Sequence, residues 1–118
     1  MLTFALGAAR KLPKFTPVDV PIADDAGFTV DVAKAKVGSG IYNTSCVICH
    51  GVGMAAGGAA PDLRKAPTPL DSNAFSAVLH DGALMARGMP GFGNLTPDEI
   101  EGLRHYIRQR ARESMPAK

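Results

Sequence analysis

Near its C-terminal end the chain repeats apolar residues at Ile100, Leu103, Tyr106 and Ile107, the spacing that aligns side chains on one face of a helix. Thr96-Pro97-Asp98-Glu99 stands just before them. A hydroxyl cap, proline at the first helical position and glutamate at the third make a capping box. Arg104, Arg108, Arg110 and Arg112 follow, where the negative end of the helix dipole favours cations. A second helix is predicted from a cap at Asp31 to about Ser45, with Val37, Ile41 and Tyr42 on one face. A third is predicted over residues 72–83, with Ser72 as cap and Phe75, Val78 and Leu79 on one side. Gly38 and Gly40 each cost the first helix about 1 kcal/mol relative to alanine, which suggests that another backbone passes close by.

The remaining segments are irregular. Residues 51–70 are rich in glycine, alanine and proline and predict a loop, as does Met89-Pro-Gly-Phe-Gly93. Residues 1–7 alternate weakly and predict a short strand, which would have to pair with something outside this chain. In residues 8–30, Pro13, Pro17 and Pro21 recur with Phe15, Val18, Val20 and Ile22 among them. Proline fixes φ and removes a donor, so this stretch reads as an extended, semi-rigid strap lying along a surface. No strand pattern follows residue 30. The expected organisation is a linker over 1–30, an all-α domain over 31–114 and a frayed tail over 115–118.

Composition narrows the function. The 118 residues suit one domain, and 46% apolar with 20% charged residues argue against a fully disordered or fibrous chain. Aromatics are only 6% and tryptophan is absent, so something other than large side chains should fill the centre. Thirteen basic against eleven acidic residues, with no basic run beyond two, argue against a nucleic-acid binder. No apolar run approaches a membrane span. The opening residues lack the charge order of a signal peptide, so either an export signal has been removed or the chain was cut from something longer.

The chemistry concentrates in Cys46-Val-Ile-Cys49-His50, which holds both cysteines. C-x-x-C-H is the attachment signature for c-type haem: two thiols add across two vinyl groups and the adjoining histidine faces the iron. A structural disulfide would not need His50. A thioredoxin-like pair would need a βαβ unit, and a zinc site would need four ligands. A covalent haem also supplies the missing core mass. Met54, Met85, Met89, Met115, His80 and His105 are the candidates for the other axial position. Met54 is too near His50 to reach the opposite face, Met115 lies in the tail, and His105 is expected to face water. Met89, held between glycine and proline with Phe92 nearby, is the favoured ligand. His/Met ligation leaves no open site and suits electron transfer.

Gly38-x-x-x-Tyr42-x-x-x-Cys46-x-x-Cys49-His50-Gly51, Gly88-Met89-Pro90 and Leu103-Arg-His-Tyr106-Ile107 together resemble the class I c-type cytochromes over about residues 31–112. The resemblance implies the class I cytochrome c fold, a small helical bundle around haem c, with its first and last helices crossing near Gly38 and Tyr106. It also implies that the Pro61 carbonyl receives the Nδ1–H of His50, and it makes Arg64 a candidate propionate partner. Ala60-Pro-Asp-Leu-Arg64 and Arg87-Gly-Met-Pro-Gly-Phe92 are similar to the C-terminal cytochrome domain of quinohaemoprotein alcohol dehydrogenases. That family implies a PQQ-binding β-propeller as electron donor, a periplasmic location and a downstream redox protein or quinone-linked acceptor. A freestanding periplasmic cytochrome c is the alternative, and a haem enzyme or gas sensor with an open site is a third reading.

Overall fold

Asp31 begins the first helix by accepting the backbone N–H groups of Ala33 and Lys34 on its carboxylate, at 2.9 and 3.1 Å. In the computed structural model, which describes residues 5–7, 9, 11, 13, 14, 16, 19–56 and 60–116, this helix, α1, spans Val32–Ser45. One residue later α2 runs Val47–His50. A 3₁₀ turn at Val52–Met54 and another at Thr68–Leu70 punctuate the long loop. Helix α3 covers Ser72–Leu79, a third 3₁₀ turn covers Met85–Arg87, and α4 covers Pro97–Glu113. No strand occurs among the described residues. The fold is the all-α class I cytochrome c arrangement.

The α4 capping box forms as its sequence requires: Thr96 accepts Glu99 N–H and Glu99 accepts Thr96 N–H. Three local expectations need correction. Asp71, not Ser72, caps α3, and the helix ends at Leu79 rather than near residue 83. The Asp71 carboxylate sits one residue outside the helix and reaches Ala74 N–H at 2.9 Å. Val37 is exposed, because the inward face of α1 is carried by Ala35, Gly38 and Tyr42. Of the strand expected over residues 1–7, the first four lie outside the described residues, and Leu6-Gly7 forms a turn. Residues 117 and 118 of the expected tail also lie outside them.

Helix α1 crosses α4 at Gly38 and Gly102. A Cβ on Gly38 would stand 2.0 Å from the Gly102 carbonyl oxygen, so only glycine lets the two backbones meet. One turn along, the Tyr42 and Tyr106 rings pack with centroids 5.5 Å apart. Tyr42, Phe75, Leu79, Ile100, Leu103 and Ile107 form the buried core, together with Met54.

Residues 23–28 of the strap lie against α4. Asp25 Oδ2 accepts from Nε and a terminal nitrogen of Arg108, at 3.2 and 2.9 Å, and from Nε of Arg112 at 3.0 Å. Arg108, fully buried, also donates to the Ala23 carbonyl at 2.9 Å. Arg112 donates to the Phe28 carbonyl. The Phe28 ring packs 4.9 Å from the His105 ring and lies beneath the Arg104 guanidinium. His105 is therefore buried, against the expectation that it faces water: Phe28 roofs it, and its Nδ1 accepts Asp31 N–H at 2.9 Å.

Candidate functional site

Between α3, α4 and the two long loops lies a cavity of about 350 Å³. That is within the roughly 300–1,000 Å³ range of small-molecule sites. Leu63, Pro69, Phe75, Leu79, Leu103 and Ile107 make its walls apolar. Cys46, Cys49 and His50 line one part of it, and Met89 and Phe92 another.

The cysteine segment is set by helix geometry. His50 N–H donates to Cys46 O at 2.9 Å, one helical turn apart, which brings Cys46 and His50 to the same side of α2. Both thiols are free, Cys46 half-buried and Cys49 exposed. Burial, followed by the neighbouring Cys49, pushes the Cys46 thiol up to about 11. It stays a neutral thiol at physiological pH. His50 is buried, and its Nδ1–H donates to the Pro61 carbonyl at 3.0 Å. A carbonyl can only accept, so the proton belongs on Nδ1 and the lone pair on Nε2 is available for a metal.

The turn after His50 is closed tightly. Gly51 has φ +84°, and a Cβ there would meet the Ala55 carbonyl oxygen at 2.3 Å. Its own carbonyl accepts both the Tyr42 hydroxyl at 2.6 Å and Met54 N–H at 3.1 Å. Met54 is a fully buried side chain on a left-handed backbone, φ +67°. Such a conformation costs a non-glycine residue on the order of 1–3 kcal/mol and persists only where its surroundings over-determine it.

The Met89 loop is tied back to α3 by Phe92 N–H, which donates to Leu79 O at 2.6 Å, and Met89 N–H reaches Leu84 O at 3.3 Å. Of the six candidates for the second axial position, Met89 alone lines the cavity. Met54 fills the core beneath the His50 turn. Met85 is exposed, and His80 is exposed and bonded to Asp81 at 2.8 Å. His105 belongs to the strap contact, and Met115 lies beyond α4.

Arg64 does not line the cavity. Asp62 holds its guanidinium through both carboxylate oxygens, at 3.0 and 2.7 Å, and a third nitrogen reaches the Ser114 hydroxyl. The Arg64 guanidinium holds the Asp62 carboxyl below the usual carboxylate range. Arg87 does line the cavity and was not singled out from the sequence; its place two residues before Met89 was the available signal.

The donor set fits haem. Two thiols, one imidazole with its Nδ1 engaged, and one thioether border a single apolar cavity. Among the described residues no group of three or more His, Cys, Asp or Glu is gathered to hold a bare metal ion. The donors therefore suit an iron that arrives with most of its ligands in a macrocycle of its own.

Comparison with known proteins agrees. Residues 33–107 match the family described as cytochrome c oxidase, cbb3-type, subunit III. The chain is 38% identical over 120 residues, 97% of its length, to the dehydrogenase subunit of a quinone-type alcohol dehydrogenase from Gluconobacter oxydans, of which it covers 15%. It is 36% identical over 98% of its length to a 1-butanol dehydrogenase (cytochrome c) from Thauera butanivorans, covering 17% of that protein. The solved quinohemoprotein alcohol dehydrogenase ADHIIG of Pseudomonas putida HK5 superposes on 91% of the chain with a TM-score of 0.72 and 30% identity, over 15% of its own length. The chain thus spans about one sixth of the relatives it matches. With its fold, its C-x-x-C-H segment and this match in agreement, the chain belongs to the cbb3-type subunit III family of c-type cytochromes.

Proposed function

We propose that this chain is the electron-transfer domain of a quinohaemoprotein alcohol dehydrogenase and carries one covalent haem c. The Cys46 and Cys49 thiols would hold the haem covalently, each by addition across one of its vinyl groups with the thiol proton going to the other vinyl carbon. His50 Nε2 and the Met89 sulfur would hold the iron. Pro61, by accepting the Nδ1–H, holds the imidazole in the ligating tautomer and raises its basicity. Arg64 shapes the Pro61–Lys65 segment by holding Asp62 through two of its nitrogens, and its remaining N–H groups would be the ones to meet a propionate. When bound, the haem would supply reversible one-electron exchange. The chain's part is to exclude water with the Phe75, Leu79 and Ile107 walls and to fix the two axial side chains.

The observation that carries this reading is the single apolar cavity bordered by Cys46, Cys49 and His50 together with Met89. The donor would be the PQQ-binding β-propeller of the parent enzyme, and the acceptor a downstream redox protein or quinone-linked acceptor, in the periplasm. The formal charge of +2 falls to +1 with ferric haem and its two propionates, and to 0 on reduction. Docking therefore depends little on long-range charge and more on tethering. Stopped-flow mixing with a detached PQQ dehydrogenase tests this. Slow reduction with a shallow salt dependence is the expected result. Fast reduction that salt steeply suppresses would point to a freestanding carrier.

A further inference from the structure

We propose that Tyr42 is the positioning residue for His50, pinning the backbone of the ligand through the Gly51 carbonyl while Pro61 pins its ring. The proposal rests on His50 being an axial ligand and goes beyond it, since it assigns a role to a side chain on another helix.

Three observations converge on one peptide group. The Tyr42 hydroxyl donates to Gly51 O at 2.6 Å, a short bond for a neutral pair, from a side chain with no solvent exposure. Met54 N–H takes up the same oxygen at 3.1 Å, from a residue held in a left-handed conformation. Gly51, at φ +84°, sits where a Cβ would stand only 2.3 Å from Ala55 O, so the turn closes on a position that only glycine can fill. The carbonyl of the residue after His50 is thus held by two donors in a tight turn.

Tyr42 is also well placed as an anchor. It lies one turn beyond the Gly38–Gly102 crossing, where α1 is locked to α4. Burial raises its ionisation to about 12, so the phenol remains a donor at any physiological pH. A tyrosine needed only for its ring could be a phenylalanine. The hydroxyl is what reaches the ligand turn. Without it Gly51 keeps one bond, the turn loosens, and the Nδ1–H···Pro61 bond lengthens. A less basic imidazole then stabilises the ferric form less.

The test uses the complete holoprotein. In the parent, a low-spin spectrum with His50 ring signals shifted by the iron establishes the ligand, and its absence would overturn the haem ligation itself. Tyr42→Phe is then compared with Tyr106→Phe, which alters the ring stacked on Tyr42. Tyr42→Phe should raise the reduction potential and speed solvent exchange of the His50 Nδ1 proton by about five- to tenfold, and Tyr106→Phe should do neither. If Tyr42→Phe only lowers the melting temperature, with exchange and potential unchanged, Tyr42 is a core hydrogen bond and nothing more. Should that variant fail to fold, the Tyr106→Phe protein offers a second route, because Tyr42 is then its sole tyrosine. Replacing it with 3-fluorotyrosine strengthens the donor and should shift the potential the opposite way. No shift overturns the proposal.

Discussion

Gly38 and Gly102 meet backbone to backbone, so that a methyl group on Gly38 would lie 2.0 Å from the Gly102 carbonyl oxygen. Overpacking of this kind costs about 1–3 kcal/mol, more where backbone must move. Gly38→Ala should therefore lower the melting temperature of the holoprotein by on the order of 10 °C. Gly40 lies in the same helix with nothing within 4 Å of a Cβ. Gly40→Ala should be neutral or gain up to about 1 kcal/mol. Calorimetry of the pair separates close approach from helix propensity, and equal effects would refute the crossing.

The strap gives the protein an acid limb with two stages. Burial lowers the pKa of His105 below its ordinary 6.5, with Lys34 and Arg104 adding to the effect and Glu101 and Asp31 opposing it. The folded state needs the neutral ring, because Nδ1 accepts Asp31 N–H. That stability is full above about pH 6.5 and is lost as pH falls through the lowered folded value. Burial acts to raise the Asp25 carboxyl, but hydrogen bonds and charge from Arg108 and Arg112 outweigh it and hold the net value below 3.8. Its contribution is full above about pH 3.8 and disappears as pH falls through that lower value. Urea unfolding followed from about pH 7 down to about pH 2 should show both stages.

Asp25→Ala leaves Arg108 fully buried without its anion. Breaking one side of a buried pair costs about 3–5 kcal/mol. Unfolding at pH 7 should show a loss of that size, with the lower stage of the acid limb gone. A loss under about 1 kcal/mol would mean that the strap contact is not held in solution.

Met89→Ala should open the sixth position. The ferrous protein should then bind carbon monoxide, which the parent should not, and the reduction potential should fall because the thioether favours Fe(II). A variant that keeps the parent's spectrum and potential would show that another side chain is the ligand.

Replacing Cys46 and Cys49 together with alanine should leave no haem on the polypeptide after acidic organic extraction. The chain should also be largely unfolded by circular dichroism, since the cofactor fills the space that its few aromatic side chains leave empty. Haem retained after extraction would defeat covalent attachment through these thiols.

The elements readable from sequence were those whose signals are local. Asp31 and Thr96 cap through bonds that span three residues, and the α4 apolar spacing maps onto Ile100, Leu103 and Ile107 at the core. The Cys46–His50 motif is local as well. What failed depended on distant neighbours. His105 has the spacing of a surface residue until Phe28, 77 positions earlier, covers it. Val37 shares a helical face with Ile41 by periodicity, yet the Gly38 crossing turns α1 so that Ala35 and Tyr42 face inward instead. Arg108 reads as one of four cations set against the helix dipole, and Asp25, the residue that makes its burial possible, carries no motif at all.

The strap also changes what counts as the transferable unit. Asp19 pairs with Lys65, Asp25 with two arginines of the final helix, and Asp31 with His105. A fragment begun at residue 31, where the sequence pattern turns helical, would carry a guanidinium at its centre with no counter-ion. One begun at Asp19 would bring the counter-ion along. Recombination that grafts this cytochrome onto another protein can therefore preserve it only by moving the strap too, so the segment that looks like connector is inherited as part of the domain.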